Sequence, residues 1–214
     1  MVEQTLEQEK TANRRKSGKP MLWVSMISMV MFFAGLTSAY VISMERDDWV
    51  TFDLPDAFYI STFLIVASSI TIILSQRFLK QEKRQMSLIL LVVTLFLGIG
   101  FIWQQYEGFN ELKGLGLYFT GPGSTVSTSF IIGITLMHIL HLVAGVIVLF
   151  VVIYNHFKYK YKPNDLLGFE LGAIFWHFVD ILWIYLFFLR LLILLVMFVL
   201  PSSFFNVKIY LQHI

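Results

Sequence analysis

The chain has 214 residues, 57% of them hydrophobic and 14% charged, where an ordinary soluble domain carries about 25% charged residues. With 21 Phe and a mean hydropathy of +0.73, this excludes a soluble globular domain and points to a membrane protein. A formal net charge of +2 gives nucleic-acid binding no electrostatic footing, and the lack of cysteine rules out disulfides, thiolate metal sites, Cys-ligated iron–sulfur clusters and Cys nucleophiles in this chain.

In chain order, residues 1–20 are polar and carry Lys10, Arg14, Arg15, Lys16 and Lys19. They predict a polar cytoplasmic tail. The first apolar run, about 21–43, is too long for a signal-peptide core and reads as an uncleaved anchor. Further apolar segments cover about 57–76, opened by Pro55-Asp56 as a helix start, then 86–103, 127–154, and 170–189 or longer, with the membrane domain ending by 200 and 201–214 forming a C-terminal tail. A span needs about 20 residues at about 1.5 Å each. The third segment reaches that length because charge-free sequence continues to Tyr106. The expected fold is therefore an all-α integral membrane protein, a bundle of five transmembrane helices.

The connections sort by sign. The first, MERDDWVTFDLPD, holds one Arg among Glu45, Asp47, Asp48, Asp53 and Asp56; the second holds Arg77, Lys80, Lys83 and Arg84; the third, Glu107, Glu111 and Lys113; the fourth, Lys158, Lys160 and Lys162. Basic connections alternate with basic-poor ones, which places the N-terminus in the cytoplasm and the C-terminus outside. The loop KGLGLYFTGPGST lacks the G-K-[ST] ending of a phosphate loop and reads as an external turn.

Polar residues inside the spans are costly and belong on protein-facing sides. In the fourth span Thr135, His138, His141 and Gly145 share one helix face. Gly100, Gln104, Glu107 and Glu111 form a second stripe in the third span, and Ala173, Trp176, His177, Asp180 and Trp183 one side of the fifth. Ser28, Gly35 and Ala39 give the first span a small-residue face suited to close packing. All four faces are expected to point into the bundle. Asp180 at a helix centre costs about 2.5–3.5 kcal/mol, which about a dozen apolar neighbours at about 0.3–0.6 kcal/mol each offset, so the fifth span can insert with it.

Histidines and carboxylates are the ligand types of a metal or haem site. Two histidines three apart on one helix cannot sandwich a porphyrin, however. The Glu-x-x-His pairs of a di-iron bundle are missing, because Thr135, His138 and Ile174 stand three residues before His138, His141 and His177. A hydrogen-bonded network of Glu107, His138, His141, Glu170, His177 and Asp180 that joins helices or meets lipid is the simpler reading. A stand-alone membrane metalloenzyme or a small transporter is the rival from another class.

GFE followed by WHFVD (Gly168, Phe169, Glu170, Trp176, His177, Phe178, Val179, Asp180), H-x-x-H-x-x-x-G (His138, His141, Gly145), Q-x-x-E (Gln104, Glu107) and ISMVMFFAGLTSAY resemble, in order and spacing across residues 20 to 189, subunit III of haem-copper cytochrome c oxidases. The resemblance implies the short bacterial form, corresponding to the last five of the seven helices in longer members, which hold lipid between a two-helix and a five-helix group. It implies an accessory, non-redox subunit that supports the stability and sustained proton uptake of a proton-pumping oxidase. It implies that no catalytic residue, metal ligand or cofactor falls in this chain. Haem and copper belong to the partner subunits, and bound phospholipid is expected.

The implied partners are catalytic subunit I, the other oxidase subunits, phospholipids and, further out, a respiratory supercomplex. The implied location is the bacterial cytoplasmic membrane, with the mitochondrial inner membrane as alternative. Gln104, Glu107, His138, His141, Glu170, Trp176, His177 and Asp180 are the expected structural or lipid-contacting polar residues, and Glu170 suits an interfacial contact at a helix N-terminus. A quinol oxidase or nitric-oxide-reductase-like complex would use the same subunit. Two departures stand out: Met29 replaces the glutamate common in the family's first motif helix, and LLILLVMFVLPSSFFNVKIYLQHI follows Arg190, which suits a membrane boundary by snorkelling.

Overall fold

The structure, a computed structural model, describes residues 2–46, 49–50, 52, 55–121, 124–161 and 166–199, with side chains described for those between 17 and 196. The tail over 201–214 lies outside the described residues. Five helices carry the chain: α1 (Val2–Ile42), α2 (Asp56–Lys80), α3 (Arg84–Gly114), α4 (Val126–Phe157) and α5 (Leu167–Val199), with a short 3-10 turn at Ser43–Glu45 after α1. All five are long and apolar enough to cross a membrane. This follows from backbone chemistry, since a chain in hydrocarbon must satisfy its amides internally.

The helix ends have local causes. Pro55 precedes α2 and Asp56 sits in its first turn, where a negative charge meets the positive end of the helix dipole; Arg77 and Lys80 occupy the last turn. The Thr125 side chain accepts a hydrogen bond from the Thr128 amide at 3.2 Å and so caps α4. Gly116, at φ 76°, ends α3, and the Leu117 amide returns to the Leu112 carbonyl at 3.0 Å.

The helices run longer than their apolar segments. α1 continues without a break from Val2 through Pro20, and α3 carries Glu107 and Glu111 within its last turns. Apolar length measures the hydrocarbon, whereas a helix can project beyond it.

α2, α3, α4 and α5 form a ring in which each packs on the next and α5 closes on α2, while α1 lies outside the ring against α4 and α5. The core is aromatic and aliphatic: Phe58, Ile65, Leu91, Phe101, Leu142, Phe169, Val179 and Trp183 are buried in it. A second cluster, with Phe33, Tyr40, Trp49, Ile134, Leu182 and Leu186, fastens α1 to the ring.

Trp176 of α5 sits where the ring converges. A Cβ built on Gly98 of α3 would lie 2.6 Å from its indole, and one on Gly145 of α4 would lie 3.4 Å away. Two glycines thus form the socket of one ring. Gly98→Ala forces the indole to move and is expected to destabilise the bundle by about 1–3 kcal/mol. Gly145→Ala, at ordinary contact distance, should lower stability far less. Thermal unfolding of both variants in detergent micelles checks the order, and equal melting temperatures would contradict it.

Candidate functional site

Seven-residue spacing organises the polar interior. Ser61, Ser68 and Ser75 of α2 are all fully buried, on one stripe that faces α3 and the ring. Their small side chains let the helices approach closely, and their hydroxyls meet partners across the gap. Gln105 Nε2 donates to Ser61 at 2.8 Å, Trp176 Nε1 donates to Ser68 at 3.0 Å, and Ser75 donates to the Ser87 carbonyl at 2.8 Å. Thr71 and Thr94 add a third link between α2 and α3 at 2.8 Å. This ladder had a signal in the sequence, three serines at steps of seven, but serine is so mildly polar that the step does not stand out.

The most connected group lies between α2 and α5. Asp180 is buried at 1% exposure. Its Oδ2 accepts from Ser69, with Ser68 a more distant neighbour at 3.4 Å. Ser69 also meets His177 Nδ1 at 3.1 Å. Ser68 sends its own proton to the Ile65 carbonyl at 2.7 Å while accepting from Trp176. Trp176, His177 and Asp180 are therefore joined, as their spacing on one helix side predicts. The second oxygen, Asp180 Oδ1, is buried without a hydrogen-bond partner among the described residues.

The other predicted polar residues go elsewhere. His138 is fully buried with neither ring nitrogen hydrogen-bonded among the described residues. It lies inside a cage of rings, 5.2 Å from Trp183, 5.9 Å from Phe101 and 6.5 Å from Phe33, centroid to centroid. His141 is half-buried; its Nδ1 lies 2.7 Å from the Met137 carbonyl one turn back, and its ring contacts Phe33. Glu170, at the start of α5, pairs with Lys19 of α1 at 3.3 Å. Both side chains are substantially exposed, so the pair adds only about 0–1 kcal/mol. Glu107 is half-buried. The six-residue network does not form as one unit, because these groups lie at different depths and on different helix faces.

Three expectations on orientation are corrected. Gln104 is half-buried, whereas its neighbour Gln105 is fully buried and bonded to Ser61. The inward stripe of α3 runs through Gly98, Phe101, Gln105, Gly108 and Leu112, which is turned from the predicted Gly100–Gln104–Glu107–Glu111 stripe. Ser28, Gly35 and Ala39 are exposed, since α1 turns Phe33, Thr37 and Tyr40 to the ring instead. Arg190 does not snorkel. It is buried at 6% exposure, donates to Tyr40 Oη at 3.0 Å and to the Phe52 carbonyl at 2.8 Å, and lies 4.9 Å over the Phe52 ring. It clamps α5 to the end of α1 and to the connection that follows.

Among the described residues no three His, Asp or Glu side chains converge as a metal centre would require. What the arrangement does chemically is hold helices together by hydrogen bonds in a medium that supplies none. The fold and this site define a five-span helical membrane protein whose interior polar groups bind helix to helix. The family profile described as cytochrome c oxidase subunit III matches residues 1–194, and the chain belongs to that family. It is similar to the cytochrome c oxidase subunit 3 of Pyricularia grisea, 32% identical over 136 residues, covering 64% of this chain and 47% of the fungal protein. It is also similar to the subunit 3 proteins of Gallus gallus and Dugong dugon, 29% and 31% identical over 128 residues, each covering 60% of this chain and 47% of the relative. The chain spans about half the length of these relatives.

Ser68→Ala removes the acceptor of the Trp176 indole N–H and is expected to cost about 1 kcal/mol, the scale of a buried hydrogen bond between membrane helices. Ser25→Ala, which removes only a bond to the Met21 carbonyl on the exposed side of α1, should leave stability within about 0.5 kcal/mol. Unfolding of both variants in mixed micelles checks the contrast, and a larger loss in Ser25→Ala would contradict it.

Proposed function

We propose that this chain is an accessory, non-redox subunit of a proton-pumping terminal oxidase of aerobic respiration. It packs on the haem-copper catalytic subunit and supports its stability and sustained proton uptake. The observation that carries this reading is the match of residues 1–194 to the subunit III family. The interior arrangement agrees with it: Trp176, His177 and Asp180 bond to serines of α2, and His138 packs among aromatic rings.

We further propose a cytoplasmic N-terminus in a bacterial membrane. The Lys19–Glu170 pair puts the start of the first membrane span beside the start of α5. Arg84, at the start of α3, reaches the His156 carbonyl at 3.4 Å and lies 4.4 Å over the Tyr159 ring. The two basic connections are thus neighbours on one side, as the positive-inside rule requires of a cytoplasmic face. Phospholipid fills the remaining outward surface.

Affinity purification of the tagged chain from its native membrane, with a visible spectrum and identification of co-purifying proteins, tests the reading. A haem-copper catalytic subunit is expected in the complex, and the chain separated from it should carry neither haem nor stoichiometric metal. Recovery without any oxidase catalytic subunit would overturn the proposal, as would metal that stays with the isolated chain and is lost in His141→Ala.

A further inference from the structure

α5 is packed on three sides, against α2, α4 and α1. Its remaining side lies between α1 and α2. Ile181, Phe188, Leu192 and Leu195 follow one another there at helical spacing, 58–65% exposed. α1 and α2 each touch α5 but, among the described residues, not one another. α5 is therefore the floor of an open groove with α1 and α2 as its walls. The floor alone would suit lipid chains.

One residue on the floor does not. His177 lies on the α2 edge of this groove, half-exposed, with Nδ1 turned to Ser69. Ser69 has one proton and two partners, Asp180 Oδ2 and His177 Nδ1. With Asp180 ionised, Ser69 donates to the carboxylate and accepts from His177 Nδ1–H, which leaves Nε2 an acceptor. With Asp180 protonated, the direction reverses and Nε2 becomes a donor. In both cases the chain Asp180–Ser69–His177 ends on Nε2, which no described residue meets and which is not among the buried atoms.

Its depth decides what can meet it. Ser69 lies near the middle of α2 (Asp56–Lys80), so the pair sits at mid-span. Hydrocarbon offers no hydrogen-bonding group there, and an unpaired polar group against lipid is costly.

We propose that the groove between α1 and α2 docks a transmembrane helix of a partner subunit, which places a hydrogen-bonding side chain on His177 Nε2 at mid-membrane depth. The proposal rests on the reading of this chain as an oxidase subunit and assigns the face that meets the complex. Ile181, one turn beyond His177, lies against the docked helix. α3, across the ring, faces lipid through Phe96, which is 67% exposed.

The test places the photo-reactive residue p-benzoylphenylalanine at position 181, and in a second full-length chain at position 96, each in the assembled native complex. On irradiation, position 181 should attach to another polypeptide of the complex and position 96 should not. His177→Leu should reduce the complex recovered in detergent several-fold, and His177→Gln, which keeps a hydrogen-bonding group, should restore part of it. Lipid adducts alone at position 181 in an intact complex would overturn the proposal, as would unchanged recovery of the complex with His177→Leu. Should His177→Leu fail to fold, the adduct formed at position 181 in the otherwise unaltered chain decides. A tagged chain that brings down no oxidase subunit at all would instead refute the functional reading, and this proposal with it.

Discussion

The indole of Trp176 touches every helix of the ring. It rises from α5, packs against Gly98 of α3 and Gly145 of α4, and donates its N–H to Ser68 of α2. Inside a bilayer the hydrophobic effect gives no preference for helix–helix over helix–lipid contact, so close packing and interhelical hydrogen bonds must supply association. Trp176 supplies both at one point. The residues beside it in sequence inherit its position. Asp180 falls one turn on, still facing α2, and His177 falls on the groove edge of the same helix. The geometry of the whole polar cluster thus depends on how deeply one ring seats between two glycines.

The polar groups divide by depth. Lys19 and Glu170 meet at one end of the bundle. The serine ladder of α2 and the Asp180 cluster fill the middle. Arg190 closes the other end, buried against Tyr40 and Phe52. Each level ties a different pair of elements, so the bundle is fixed along its whole length. His138 is the exception, held among aromatic rings without a hydrogen bond to any described residue, 5.2 Å from Trp183. No functional step in the proposed accessory role requires it to bind or transfer anything.

Hydropathy made the five spans legible, because a run of about 20 apolar residues has few other uses. The inward side of α5 was legible in the main, since Ala173, Trp176, Asp180 and Trp183 are buried, whereas His177, expected on the same side, is half-buried at its edge. Two orientations were not. Gln104 and Gln105 are adjacent, one helical step apart, and alignment with Gly100 and Glu107 favoured the wrong one. That stripe lies at the boundary of the bundle rather than inside it. The small face of α1 misled for a different reason. Small residues mark close contact only where a neighbour exists, and α1 sits outside the ring with Ser28, Gly35 and Ala39 turned away from α4 and α5. Which helix is peripheral is a property of the assembled bundle, and no local pattern encodes it. The burial of Arg190 was hidden likewise: its carbonyl partner at Phe52 lies 138 residues away in sequence.

Under the proposed function this chain sustains an oxidase without carrying its redox chemistry. Oxygen consumption by the purified complex with and without this subunit, followed over many turnovers, tests it most directly. The depleted enzyme should start at a comparable rate, lose activity faster during turnover, and regain its lifetime when the chain is added back. A depleted enzyme with no activity from the first turnover, or one whose decay matches that of the complete complex, would contradict it.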